Sequence, residues 1–157
     1  MNIKYLNIYN NLVKLTRNKN FYEKLGKTET FNHRLVLLFF HFSCFFKIYK
    51  DTLTKKESQD IFDFFFRQIE LSIREIGYGD QSVNKKMKQY VHLFYSILDK
   101  IELWDNKNID DKMGFFSNYL DISINIEYYV KYFDNFLLLL SKNSINDFTK
   151  DIIDLPN

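Results

Sequence analysis

The sequence predicts an all-α fold, a single-domain bundle of about six or seven helices. Apolar residues recur three and four positions apart along most of the chain, which is the period of an amphipathic helix. Only four glycines and one proline interrupt this pattern in 157 residues. No repeat, low-complexity linker or composition shift marks a domain boundary, so residues 1–157 are expected to form one domain with a short flexible C-terminal tail.

Composition and charge exclude several function classes. The 22 basic and 20 acidic side chains leave a net charge of +2, which gives no reason to expect nucleic-acid or membrane binding. Cys44 is the only cysteine, so an internal disulfide is excluded, and its apolar neighbours favour a buried hydrophobe over a nucleophile. The chain lacks alanine and is rich in residues of AT-rich codons, so single Phe, Tyr or Asn residues carry little functional information.

The first two-thirds of the chain contain five predicted helices. The first, fourth and fifth each carry one apolar stripe, whereas the third is apolar nearly all round and is expected to be central. Gly26 and Gly77 are expected to end the second and fourth, because glycine adopts the left-handed conformation at no steric cost. Asn32 is expected to cap the third, and Ser82 or Asp80 the fifth. The predicted ranges are 3–16, about 21–25, 32–50, 55–76 and 82–103.

The last third holds two further predicted helices, after a polar stretch, Trp104–Asp111, that is expected to be a loop. Residues 112–122 and 126–141 both show helical periodicity. A final turn is expected at 147–153, with Pro156 in the tail. Several apolar side chains stand off the stripes or crowd the third helix, and they either stay uncovered as a partner surface or are covered because short helices pack on both faces. They are Phe39, Phe45, Phe46, Tyr128, Tyr132, Leu138 and Leu139.

No segment is expected to span a membrane or to direct export. The longest apolar run, residues 35–46, falls short of the roughly 18 apolar residues that a membrane span needs. The first 17 residues lack the features of a signal peptide and of a mitochondrial transit peptide. We therefore expect a cytoplasmic protein that is at most peripheral at the inner membrane.

The most specific segment is REIGYGDQSVNKKM, residues 74–87. This run of Arg-Glu-apolar-Gly-x-Gly-Asp, followed by Ser-Val and a lysine cluster, resembles the motif of the ubiquinol–cytochrome c chaperone family. Residues 29–34, the stretch around His41 and residues 62–70 resemble further family segments in the same order. The resemblance covers about Tyr9–Leu103. Residues that depart from the family pattern are Glu29, His33, Gln68 and Glu70.

The resemblance implies a non-enzymatic assembly chaperone for the cytochrome bc1 complex. By that resemblance, the client is newly made cytochrome b or another component of the complex. Mitochondrial members of the family also act with a small partner protein and contact the ribosome near its exit tunnel. No cofactor and no metal are expected.

The motif also supplies the candidate site residues. Gly77 and Gly79 are expected to form a tight structural turn, with Ser82 in the helix that follows. The charged residues either clamp the helices together or face a client, and both readings stay open. Lysines in a first helical turn oppose the helix dipole, which suggests RNA, anionic lipid or an acidic partner, although a merely solvated face is the simpler reading. The candidate partner-binding residues are Arg74, Glu75, Asp80, Lys85, Lys86 and Lys88.

The sequence shows no catalytic or metal-binding pattern. His33, His41 and His92 lack metal-ligand spacing, and His41 is expected to be a buried, hydrogen-bonded imidazole rather than a haem ligand. Two alternatives to the chaperone function remain. One is a helical interaction protein that dimerises or docks a partner helix through its last helix, without a respiratory role. The other is a small enzyme that uses the corner between Arg74 and Asp80.

Overall fold

The computed structural model describes residues 2–150, which are almost entirely helical and contain no strand. This confirms the predicted all-α class. Within that part of the chain there are seven α-helices and three short 3₁₀ turns. The helices are α1 (Ile3–Thr16), α2 (Lys19–Glu23), α3 (Phe31–Tyr49), α4 (Lys55–Ile76), α5 (Asp80–Glu102), α6 (Ile109–Leu120) and α7 (Ile126–Lys142). The 3₁₀ turns are Lys50–Thr52, Trp104–Asn106 and Ile145–Phe148.

Helix α3 occupies the centre of the bundle, as predicted. Fourteen of its 19 residues are buried. It packs against α1, α5, α6 and α7. The Phe42 ring stacks on Phe65 of α4 with centroids 3.5 Å apart, and the Phe40 ring meets Phe116 of α6 at 5.3 Å. Each buried aromatic ring contributes about 1.5–3 kcal/mol through removal from water, so α3 is the main source of core stability.

Helices α4 and α5 form an antiparallel hairpin. The ring centroids of Phe62 and Tyr95 lie 5.5 Å apart, and those of Phe66 and Phe94 lie 5.6 Å apart. A later residue of α4 thus contacts an earlier residue of α5, which is the pattern of two antiparallel helices. Because both helices also cover α3 through Phe65 and Phe94, the hairpin and the central helix form one body.

Several local predictions are wrong. Thr30, not Asn32, caps α3: its backbone is extended, its Oγ1 accepts the His33 N–H at 3.3 Å, and His33 Nδ1 accepts the Thr30 N–H at 3.1 Å. Helix α2 ends at Glu23, before the positive-φ Gly26. The expected loop after Leu103 is partly helical, since α6 already begins at Ile109.

Trp104 explains why that connection is ordered. Its side chain is buried, which a polar loop would not predict. The indole Nε1 donates to Asp134 Oδ1 of α7 at 2.8 Å, and Lys112 Nζ of α6 reaches the same oxygen at 3.0 Å. One carboxylate thus ties α6 and α7 to the end of α5.

The expected uncovered apolar surface is smaller than predicted. Phe39, Phe45 and Phe46 are buried, because α3 is covered on every side. On the outer side of α7 three of the four side chains are half-buried, and Leu138 alone is exposed, at 54%. The expected final turn is met by the 3₁₀ turn at Ile145–Phe148, whereas its residues 151–153, Pro156 and the tail lie outside the described residues.

His41 is a buried imidazole whose two ring nitrogens both have partners, as predicted. Nδ1 donates to the Leu37 carbonyl at 2.8 Å, so in the neutral tautomer Nε2 accepts from the Tyr132 hydroxyl, also at 2.8 Å. Burial lowers the pKa of His41 to about 4, and the bond to Leu37 opposes this only in part. Burial raises the pKa of Tyr132, which keeps its hydroxyl available as the donor.

Acid should therefore destabilise the fold through His41. The unfolded imidazole has a pKa near 6.5 and the folded one about 4, so its stabilising contribution is complete above pH 6.5 and is lost as the pH falls toward 4. We expect the free energy of unfolding to drop by about 2–3 kcal/mol more between pH 7 and pH 4.5 in the wild type than in His41→Asn. Urea denaturation at both pH values measures this difference.

The side-chain NMR signals of His41 provide a readout that does not need the variant to fold. They should report a neutral ring protonated at Nδ1 at pH 5. Equal acid sensitivity of the two proteins, or an imidazolium at pH 5, would contradict this assignment.

Candidate functional site

The family-like motif folds into the corner between α4 and α5. Helix α4 ends at Ile76, and its C-cap residue, Gly77, has a φ of +108° in the left-handed region. The Gly77 N–H donates to the Arg74 carbonyl at 3.0 Å. Nothing lies within 4 Å of a Cβ built at position 77. The backbone conformation, rather than space, therefore favours glycine there.

Gly79 differs from Gly77. Its φ of −75° and ψ of 166° are open to any L-residue, and a Cβ at this position would meet nothing within 4 Å. The prediction that the turn needs both glycines is therefore wrong for Gly79. Gly79 is also the N-cap residue of α5, so the start of that helix has no side-chain cap. Asp80 and Ser82 lie inside the first turn instead of capping it, which corrects that prediction as well.

An ion pair closes the corner on the solvent side. Arg74 Nη1 donates to Asp80 Oδ1 at 2.5 Å, and this bond raises the pKa of Arg74. Both side chains are exposed, so water screens the pair and its effect on stability is small. Glu70 lies 3.9 Å from Arg74 Nε and pairs more closely with Arg67. Within residues 2–150, Glu75 makes no ion pair.

The lysine cluster stands beside this corner. Lys85 and Lys88 are exposed, and Lys86 Nζ lies 4.6 Å from the centre of the Tyr78 ring. None of the three ammonium groups has a carboxylate partner among the residues that the structure describes. Their charges are thus available to another molecule.

Apolar side chains complete the same surface. Ile76 is 56% exposed and Tyr78 is 44% exposed. We call this region the corner surface and define it by the residues Arg74, Glu75, Ile76, Tyr78, Gly79, Asp80, Lys85, Lys86 and Lys88. It joins two exposed apolar groups to unpaired cations on a rigid hairpin, which suits binding to another macromolecule.

The corner surface has no enclosed acid–base pair. Arg74 and Asp80 satisfy each other in the open, and a cavity of about 190 Å³ lies elsewhere, between α1, α3 and α4. Sequence reasoning missed that cavity and its two arginines, Arg17 and Arg34, because the three helices come together only in the folded chain.

No helix within residues 2–150 is long and apolar enough to cross a membrane. In the same part of the chain, no three His, Cys, Asp or Glu side chains gather closely enough to hold a metal ion.

A family model described as ubiquinol-cytochrome C chaperone matches residues 23–109, more than half of the chain. The protein belongs to the ubiquinol-cytochrome C chaperone family. Membership in this family supports a general role in assembly of the cytochrome bc1 complex. The match runs from the end of α2 to the first residue of α6, so it contains α3, the α4–α5 hairpin and the whole corner surface. No curated protein and no solved structure matches the chain.

The two glycines of the corner, Gly77 and Gly79, should respond differently to substitution by alanine. At Gly77 a Cβ forces a left-handed conformation on an L-residue, so we expect Gly77→Ala to lower the free energy of unfolding by about 1–2 kcal/mol. The backbone conformation at Gly79 is open to any L-residue, so Gly79→Ala should change the free energy of unfolding by less than about 0.5 kcal/mol. Urea denaturation of both variants measures the contrast, and equal losses would contradict the separate roles of the two glycines.

Proposed function

We propose that this chaperone binds newly made cytochrome b through the corner surface and shields it until other subunits arrive. The observation that carries the proposal is the exposure of residues 74–80, the start of the motif segment, within the range that matches the family. A segment that served only to connect two helices would need the left-handed residue at 77 and little else.

Gly79 supports a binding role for the corner. Its backbone conformation does not require glycine, and open space surrounds the missing side chain. Glycine at such a place lets the backbone of another molecule approach closely. We therefore assign Gly79 to the contact with the client rather than to the turn.

The chemistry of the surface suits a membrane-protein client. Ile76 and Tyr78 offer apolar contact for a hydrophobic segment, and the three lysines offer attraction to acidic side chains or anionic headgroups beside it. The Tyr78 ring beneath Lys86 Nζ holds one of these charges next to the apolar contact. We place the protein at the cytoplasmic face of the inner membrane, at most peripherally bound.

The proposed mechanism is binding without catalysis. The hairpin is anchored to α3 by buried aromatic rings, so the corner surface is held in place before the client arrives. A preorganised surface loses little conformational entropy on binding. Covering the apolar client segment then prevents it from aggregating. No covalent bond is made or broken. A small helical partner protein and the ribosome, which the family resemblance implies, are further proposed partners.

The alternative of a helical interaction protein that works through α7 has less support. Leu138 is the one exposed member of the apolar set predicted there, and the other members are half-buried against the bundle. An isolated exposed leucine is ordinary on a protein surface.

Site-specific cross-linking in cells tests the proposed client. A photoreactive phenylalanine replaces Tyr78 at the corner surface or, as a matched control, the equally exposed Tyr95 farther along α5. We expect cytochrome b to be captured from position 78 and not from position 95. Capture of other proteins at position 78 with cytochrome b absent would refute the proposed client.

A bulky side chain at position 79 tests the proposed contact. Gly79→Gln should leave the free energy of unfolding nearly unchanged, because the backbone and the space both accept it. We expect this substitution to lower the amount of assembled cytochrome bc1 complex several-fold, measured by native gels and haem spectra of membranes. Asn135→Gln on α7 is the control, since this exposed site lies outside the corner surface. Normal assembly with stable Gly79→Gln protein would exclude close approach at this glycine.

A further inference from the structure

The cavity between α1, α3 and α4 has a charged rim and an apolar floor. Arg17, just after α1, and Arg34, in the first turn of α3, stand at the rim, where both are exposed. The Tyr22 hydroxyl is fixed at the wall by donating to the Thr16 carbonyl at 2.5 Å. The floor is formed by aliphatic side chains of all three helices: Val13, Leu35, Leu38 and Ile69.

The charge of the cavity is one-sided. Its lining includes two arginines and no aspartate or glutamate. Arg17 makes no ion pair within residues 2–150. Arg34 has one carboxylate contact, from Nη1 to Glu29 Oε2 at 3.5 Å, which occupies little of its five-donor guanidinium. Two planar guanidinium groups at one rim are suited to a carboxylate, which each can bind through paired hydrogen bonds.

The size of the cavity decides what kind of ligand fits. Its volume of about 190 Å³ is below the roughly 300–1,000 Å³ of sites that enclose a whole small molecule. It therefore receives a part of a larger molecule, such as one aliphatic side chain. A long acyl chain would leave most of its apolar surface in water.

The cavity and the corner surface both include residues of α4. Phe31 lines the cavity and packs on Tyr90 of α5, with ring centroids 6.5 Å apart. Along α4, Ile69 of the floor and Ile76 of the corner are seven residues apart, which places them on the same helix face two turns apart. The two regions therefore lie about two helical turns apart along α4.

We propose that the cavity is a second binding site, for a segment of a partner protein that carries an aliphatic residue next to an acidic one. The aliphatic side chain enters the cavity, and the carboxylate lies between Arg17 and Arg34. This contact goes beyond cytochrome b binding at the corner, since it does not depend on which protein the corner surface holds.

NMR titration of the full-length ¹⁵N-labelled protein with acetyl-Gly-Leu-Asp-Gly-amide tests the site directly. We expect shifts at the amides of residues that line the cavity, with a dissociation constant on the order of 1 mM because few atoms anchor the peptide. Arg17→Gln with Arg34→Gln should weaken binding by at least about tenfold. Arg67→Gln, an exposed arginine of α4 outside the cavity, should not weaken it.

The matched peptide with Asn in place of Asp and the fatty acid decanoate complete the test. Tenfold weaker binding of the Asn peptide supports the proposed carboxylate contact. Equal binding of both peptides, unchanged affinity in the double variant, or no shift at the cavity up to the solubility limit overturns it. Cavity shifts with decanoate but not with the Asp peptide would assign the site to lipid and also overturn it. None of these outcomes alters the expected cross-link from position 78.

Discussion

The fold depends on the need to cover α3 on every side. A helix with fourteen buried residues of nineteen cannot be solvated, so the other helices are held where they enclose it. The α4–α5 hairpin supplies one of these walls through the Phe65 and Phe94 rings. Because the hairpin is anchored along its length, the corner at its tip can be exposed and charged without loss of the core.

The separation between the packed core and the exposed corner explains which residues form the corner. Core stability comes from aromatic contacts near α3, whereas residues 74–80 are all exposed and contribute little packing. Gly77 alone meets a backbone requirement of the turn. The remaining features, namely an unneeded glycine, exposed apolar groups and unpaired lysines, fit a surface kept for another molecule. The cavity is a separate feature that is lined partly by α1, whose residues precede the range that matches the family.

Most of the fold could be predicted from the sequence, because strong local signals agreed with the tertiary structure. The bounds of α1 and α4 coincide with the prediction, and α4 is delimited by a Thr54–Glu57 capping box and by Gly77. Asn32 misled because Thr30, two residues earlier, has the extended backbone that a cap requires. The sequence predicts the same role for Gly79 as for Gly77 because both are glycines. The backbone dihedral angles that separate the two cannot be read from a sequence. The rim formed by Arg17 and Arg34 depends on how α1, α3 and α4 pack, which periodicity does not determine.

Hydrogen–deuterium exchange of the chaperone, alone and in a complex co-expressed with apocytochrome b, measures most directly whether a rigid hairpin presents its corner to a client. We expect slow exchange throughout α3 in both states and new protection at residues 74–88 in the complex. Unchanged exchange at 74–88, with protection appearing on α7 instead, would contradict it.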